Sequence, residues 1–351
     1  MAYLVLENGA VFKGRQFGYS AEAVGELVFS TAMTGYMETL TNPGYSGQIV
    51  LQTFPLIGNY GWIPAEGRSD RVQLNAYIVR EWCQEPSNFR SEGNLDSFLC
   101  ENKIPGLYNI DTRALTRIIR ESGKLRAVLS HSPELTEAQR ESLKGNKSEN
   151  SVEKVLPGFA AGKVNSDEKK NGIIVWNFGD NAIVREFENF GCKHVMAVGC
   201  AAAADEILAM SPGGVVLSDG PENPAESAEI IEVIKKLCDK KVPIFGIGLG
   251  HQLLAIARGA KVEKLPVGHR GANQPVREKK TGRAFVTGQA HGYAVSADSL
   301  PKTAKVSYEH TIDGTCEGID YTDIPAFSVQ FRPTPDADIF GKFVKMIEKG
   351  V

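Results

Sequence analysis

No apolar run in this 351-residue sequence approaches the roughly 18 to 20 residues that a membrane-crossing helix needs, so the pattern predicts a protein of the aqueous phase. The amino terminus meets Glu7 and Asn8 straight after Leu6, without the charged leader and long apolar stretch of an export signal, and the expected location is the cytoplasm. Charge of one sign is lacking too: 39 Lys and Arg stand against 42 Asp and Glu, for a formal net charge of -3. The short basic clusters around Lys169 and from Arg277 to Arg283 are interrupted by acidic or polar residues, which reads as solvated faces and excludes a surface that tracks nucleic acid. The six cysteines, Cys83, Cys100, Cys192, Cys200, Cys238 and Cys316, show neither C-x-x-C nor histidine-partnered spacing. That argues against structural zinc and against a disulfide framework, so reduced thiols and no metal are expected. Internal repeats and low-complexity tracts are absent as well.

What is present is ordinary globular composition, 42% hydrophobic and 23% charged, over a length suited to two cores. From Tyr3 to about Leu129, β-branched runs such as Val24 to Phe29, Gln48 to Thr53 and Val72 to Val79 alternate with Gly, Pro and Asn turns and predict strands. One helix stands out there, capped by Asp111, with Leu115, Ile118 and Ile119 on one face and Gly123 at its end. Residues 146–171 are rich in Lys, Glu, Asn, Ser and Gly and predict a linker between a domain over 1–145 and another over 172–351. After Gly172 the rhythm becomes strand, helix, strand, with candidate strands at Ile173 to Phe178, His194 to Val198, Val215 to Ser218 and Pro243 to Gly246. This alternation predicts an α/β fold, an open, mainly parallel sheet flanked by helices, behind an N-terminal α+β domain of mostly strands. Short strands are expected from Lys261 to Val329, and a closing helix from Asp338 to Lys349.

The most informative segment runs from Pro243 to Leu254. A strand, a sharp glycine turn and a helix make the elbow that lifts a nucleophile above the strand ends of many α/β enzymes. At its centre, glycine tolerates the strained backbone best, so Gly248 keeps the shape while supplying no sulfur or oxygen. Gly246-Ile247-Gly248-Leu249-Gly250-His251-Gln252-Leu253-Leu254 resembles the elbow of class I glutamine amidotransferases, where the position of Gly248 is cysteine. The chain as a whole is similar to the small, glutamine-hydrolysing subunits of carbamoyl-phosphate synthetases. Val24 to Phe29, Thr34-Gly35-Tyr36, Gly58 to Gly61, Asp111 to Thr116 and Phe327 to Phe331 carry that likeness over nearly the full length.

The resemblance implies a cysteine, histidine and glutamate set, in which an imidazole takes the thiol proton and a carboxylate orients the ring. This sequence has Gly248 at the nucleophile position, Arg332 at the base position and Thr334 at the position of the orienting acid. Arginine stays protonated near neutrality and cannot accept the proton. The family's oxyanion turn reads here as Ser218-Asp219-Gly220-Pro221-Glu222-Asn223-Pro224, so Glu222 replaces a glycine whose backbone faces the reacting carbonyl. Gly44 stands for a substrate-holding serine, and Ala290 for an asparagine of the pocket. Gly220, Leu249, Gln252, Gly292 and Tyr293 match the family pocket. Six departures in one site point to a chain that no longer hydrolyses glutamine. Glu222 and Arg332 are expected as a charge-assisted pair filling the vacated space.

His251 and His291 read as packing residues. Among the cysteines, Cys200, Cys238 and Cys316 are weighed as relocated nucleophiles, and none lies on an elbow. The resemblance implies a large-subunit partner that uses ATP and Mg, with no cofactor in this chain. A non-catalytic subunit serving an ammonia-using partner is the expected function. Its alternatives are a glutaminase with relocated chemistry and a regulatory module that binds a small metabolite.

Overall fold

A computed structural model describes residues 1–145, 172–221, 223–224, 227–333 and 338–349. The expected linker over 146–171 lies outside these residues, as do Glu222 and Thr334. Two compact units form, one from Met1–Glu149 with His269–Ala272, the other from Asn150–Gly268 with Asn273–Val351. No described helix is long and apolar enough to cross a membrane.

The strands of the first unit are β1 (Ala2–Leu6), β2 (Val11–Gly18), β3 (Ala23–Ser30), β4 (Gln48–Gln52), β5 (Leu56–Ile57), β6 (Ala76–Ile78), β7 (Glu81–Trp82), β8 (Pro105–Tyr108) and β9 (Arg126–Ser130). Seven of them close into a barrel in the order β1-β2-β8-β6-β4-β3-β9, while β5 and β7 pair separately. Leu4, Leu27, Ile49, Leu51, Ile78 and Leu107 fill its core, every second residue of a strand pointing inward. Its helices are α1 (Tyr36–Thr41), α2 (Leu95–Glu101), α3 (Thr112–Ser122) and α4 (Glu137–Lys144). Of these the sequence pattern predicted only α3, whose Asp111 carboxylate accepts the Ala114 N–H at 2.9 Å and whose Leu115 and Ile119 are buried. The six-residue α1 is too short for a repeated apolar stripe, and α4 buries only Leu143, so neither carries a pattern to read.

The second unit holds β10 (Ile173–Asn177), β11 (Val195–Gly199), β12 (Gly214–Leu217), β13 (Ile244–Ile247), β14 (Val262–Glu278, except His269–Ala272, which belong to the first unit), β15 (Ala284–Val295), β16 (Ala304–His310), β17 (Cys316–Tyr321) and β18 (Ala326–Val329). Its helices are α5 (Ala182–Asn189), α6 (Ala204–Ala209), α7 (Ala228–Asp239), α8 (Leu249–Ala257) and α9 (Ile339–Glu348). The nine strands form one sheet in the order β11-β10-β12-β13-β18-β17-β15-β14-β16. The pairings from β11 to β18 are parallel, and β18 then pairs antiparallel with β17. Alternate residues sort to two faces. Ile174, Trp176, Val215, Leu217 and Ile244 pack with α7 and α8, whereas Ile173, Val175, Val216, Phe245 and Phe327 pack with α5 and α9. Helices on both faces of the parallel strands are what the strand-helix rhythm predicts.

Two details differ from the sequence reading. The region expected to hold short strands contains β14 with 17 residues and β15 with 12, because their Gly and Pro residues sit within continuous strands rather than ending them. Helix α8, expected from the sequence over Leu253 to Arg258, starts at Leu249 instead, since the glycine turn passes straight into helix.

Candidate functional site

The carboxyl ends of β12, β13 and β18 lie side by side because these strands are parallel neighbours. Strand β13 runs into Gly248, at φ 55° and ψ -113°, and α8 begins with the next residue. That backbone conformation is strained for a residue with a side chain, and glycine adopts it without that cost. The turn is held by main-chain bonds: Gly248 N–H donates to Val329 O at 3.0 Å, and Gly250 N–H to Ser218 O at 3.1 Å. Gly250 is fixed by contact rather than by conformation, since a Cβ there would lie 2.2 Å from the Leu217 carbonyl oxygen.

Asp219, in the turn after β12, faces this elbow. Its Oδ1 accepts the N–H of Gly220 at 2.9 Å and the N–H of Leu249, the first residue of α8, at 3.0 Å. Its neighbour Ser218 is buried, accepts the Phe178 N–H at 2.8 Å and donates to the Asp219 carbonyl at 2.8 Å, so the turn is pinned from below. The sequence pattern does not mark Asp219, which acts through two backbone amides, except by its adjacency to Gly220 in the oxyanion turn.

The position expected for the base, Arg332, follows β18. Arg332 N–H donates to Gly288 O at 3.0 Å, and its guanidinium holds Glu186 Oε1 through Nε at 3.1 Å and Nη2 at 2.5 Å. Glu186 belongs to α5, 146 residues away in sequence, and nothing in the pattern signalled it. The expected partner Glu222 and the third position of the set, Thr334, lie outside the described residues. The Arg332 side chain is 41% exposed, so this pair sits at a rim in contact with water.

The pocket-like residues fall on three elements of this unit. Gly220 and Leu249 flank the elbow as described, and Gln252 lies buried on α8, donating through Nε2 to Tyr293 O and to Gln330 Oε1, each at 3.0 Å. Gln252 Oε1 is buried and has no hydrogen-bond partner among the described residues. Ala290, Gly292 and Tyr293 lie on β15. Gly44 belongs to the first unit, where it is buried in a 3-10 turn and its N–H donates to Asn42 Oδ1 at 2.8 Å.

Both histidines are buried packing elements. His251 lies inside α8 with Nδ1 2.8 Å from Ser328 Oγ, and burial pushes its pKa down to about 3, so the ring is neutral. His291 has Nδ1 2.8 Å from Tyr293 O and Nε2 3.0 Å from Gln289 Oε1. Burial pushes the Cys238 thiol up to about 11 and the Cys316 thiol up to about 12, leaving both protonated and unreactive near neutrality. At the elbow, the described residues offer two backbone donors, both taken by Asp219, and no thiol.

Comparison with known proteins covers the whole chain. Residues 4–129 match the family described as carbamoyl-phosphate synthase small chain, CPSase domain, and residues 174–340 match glutamine amidotransferase class-I. The carbamoyl phosphate synthase small chain of Clostridium perfringens is 42% identical over 350 residues, covering 98% of this chain and 99% of its own. That of Chlorobaculum tepidum is 40% identical over 360 residues, covering 99% and 98%. Among solved structures, a glutamine amidotransferase of Thermotoga maritima aligns at 18% identity with a TM-score of 0.38, over 47% of this chain and 76% of its own. With an elbow of class I type in the second unit and family matches across both units, the chain belongs to the carbamoyl-phosphate synthase small chains and carries their class I glutamine amidotransferase domain.

Proposed function

We propose that this chain is a non-catalytic small subunit, which binds a carbamoyl-phosphate synthase large subunit and leaves it to use free ammonia. The observation that carries the reading is Gly248 at the centre of the elbow, where a thiol would have to stand to form a thioester. Arg332 supports it from the adjacent strand end, as a cation engaged with Glu186 cannot take up a proton. Relocated chemistry finds no support in Cys238 or Cys316, which are buried and protonated. An anionic metabolite at the elbow would meet the Asp219 carboxylate there, which disfavours the regulatory alternative. ATP and Mg2+ belong, on this reading, to the partner, and docking to that partner falls to the first unit. The complex then works in the cytoplasm.

The test is copurification of the chain with its large subunit from native extract, followed by assays with glutamine and with ammonium as nitrogen source. Carbamoyl phosphate should form with ammonium alone. Glutamate released from glutamine above the ammonium-only background would overturn the reading.

A further inference from the structure

An elbow enzyme stabilises the oxygen of its reacting carbonyl with two N–H groups, one from the residue after the nucleophile and one from a neighbouring loop. Both donors are present here. Leu249 follows the elbow centre and Gly220 lies in the loop after β12, and both point their N–H at one atom, Asp219 Oδ1, at 3.0 and 2.9 Å. The contact is favourable twice over: an anionic acceptor strengthens each hydrogen bond, and the carboxylate lies at the amino end of α8.

The same oxygen also blocks the elbow. A Cβ placed on Gly248 would lie 2.1 Å from Asp219 Oδ1 and 2.4 Å from its Cγ, well inside any permitted contact. No side chain can therefore leave position 248 while Asp219 holds the two donors. The absence of a nucleophile and the presence of the carboxylate are one arrangement.

We propose that Asp219 is a built-in occupant of the oxyanion cradle, a resident carboxylate that takes both backbone donors and closes the elbow to carbonyl substrates. This rests on the reading that the chain is non-catalytic, and adds that the site is sealed as well as stripped. A substrate carbonyl, a neutral acceptor, would have to displace a charged one already bonded to both N–H groups. A thiol installed at position 248 would meet a negative charge that opposes its ionisation. Restoring the cysteine therefore sets it against Asp219, and the site opens fully only when Asp219 is also replaced.

The test uses the full chain as Gly248→Cys, Asp219→Ala and the double variant. Alkylation of the thiol installed at position 248 by iodoacetamide is followed peptide by peptide, with the exposed Cys100 as internal reference. The expected result is a rate at least tenfold higher in the double variant than in Gly248→Cys, and rates within twofold would overturn the proposal. Should Gly248→Cys fail to fold, recovery of folding on adding Asp219→Ala supports the same coupling. Asp219→Ala alone supplies an independent readout: amide hydrogen exchange at Leu249 and Gly220 should accelerate at least tenfold relative to Leu253 and Leu254 in the same unit. Unchanged exchange would overturn the contact. Glutamate release by the unaltered chain would sink the non-catalytic reading and leave this contact standing, whereas fast alkylation beside an intact Asp219 would do the reverse.

Discussion

The elbow after β13 and the stretch after β18 end neighbouring parallel strands, yet they hold their shapes by opposite means. The elbow is a floor of buried backbone: Gly246 to Leu254 are buried throughout, and Gly248 and Gly250 donate to main-chain carbonyls at the ends of β18 and β12 while Leu249 donates to the Asp219 carboxylate. The stretch after β18 is a rim, where the Arg332 guanidinium meets Glu186 with 41% of the arginine side chain still exposed. Packing density explains the contrast, since a dense interior transmits every added methyl whereas a hydrated ion pair readily rearranges. The two regions should therefore answer mutation very differently.

The sharpest blow to the floor is Gly250→Ala. Its new Cβ would sit 2.2 Å from the Leu217 carbonyl oxygen and 2.6 Å from the Leu217 Cβ, so helix α8 must move away from β12. A loss of about 3 kcal/mol is expected, read as a lowered urea midpoint at unchanged slope. A loss below about 1 kcal/mol would erase the distinction between floor and rim.

A second blow to the floor comes from acid. His251 is wholly buried with its pKa held at about 3, far below the 6.5 of an exposed imidazole, so the unfolded chain takes up a proton that the folded chain refuses. Stability from this residue is complete above the unfolded pKa and drains away as pH falls from about 6.5 toward 3, by up to roughly 1.4 kcal/mol per pH unit. Near pH 5 the loss should be about 2 kcal/mol. His251→Gln, which keeps a polar group near Ser328 without that proton, should show a stability profile flatter by one proton between about pH 6 and 4. An equal slope in both proteins would mean that His251 is protonated within the fold.

How much of this was legible beforehand differs between the same two regions. The elbow could be read directly, because its constraint is local: a strand of apolar residues, glycines at alternate positions and a helix with apolar residues in its first turns lie within one short segment. The parallel sheet and its two covered faces followed from the strand-helix rhythm. Closure of the first unit into a barrel did not, since which strands become neighbours depends on pairings such as β1 with β9, whose Leu4 and Leu129 stand opposite each other from the two ends of the unit's sequence. Asp219 and Glu186 were missed for related reasons. Asp219 acts through two backbone amides that carry no sequence signature, and Glu186 reaches Arg332 from a helix whose polar face looks merely solvated.

The smallest effect belongs to the rim, and it tests the comparison from the other side. Arg332 and Glu186 meet through Nε and Nη2 on one carboxylate oxygen, with the glutamate side chain only 17% exposed. Against this, water reaches the guanidinium, and the long arginine side chain surrenders conformational freedom to hold the contact. A double-mutant cycle of Arg332→Ala and Glu186→Gln should return a coupling of about 0.5 to 1 kcal/mol, shrinking at high salt as the exposed charge is screened. A coupling above about 2 kcal/mol that ignores salt would place the pair in the floor. In that case Arg332 would be as deeply committed to the fold as the glycine turn itself.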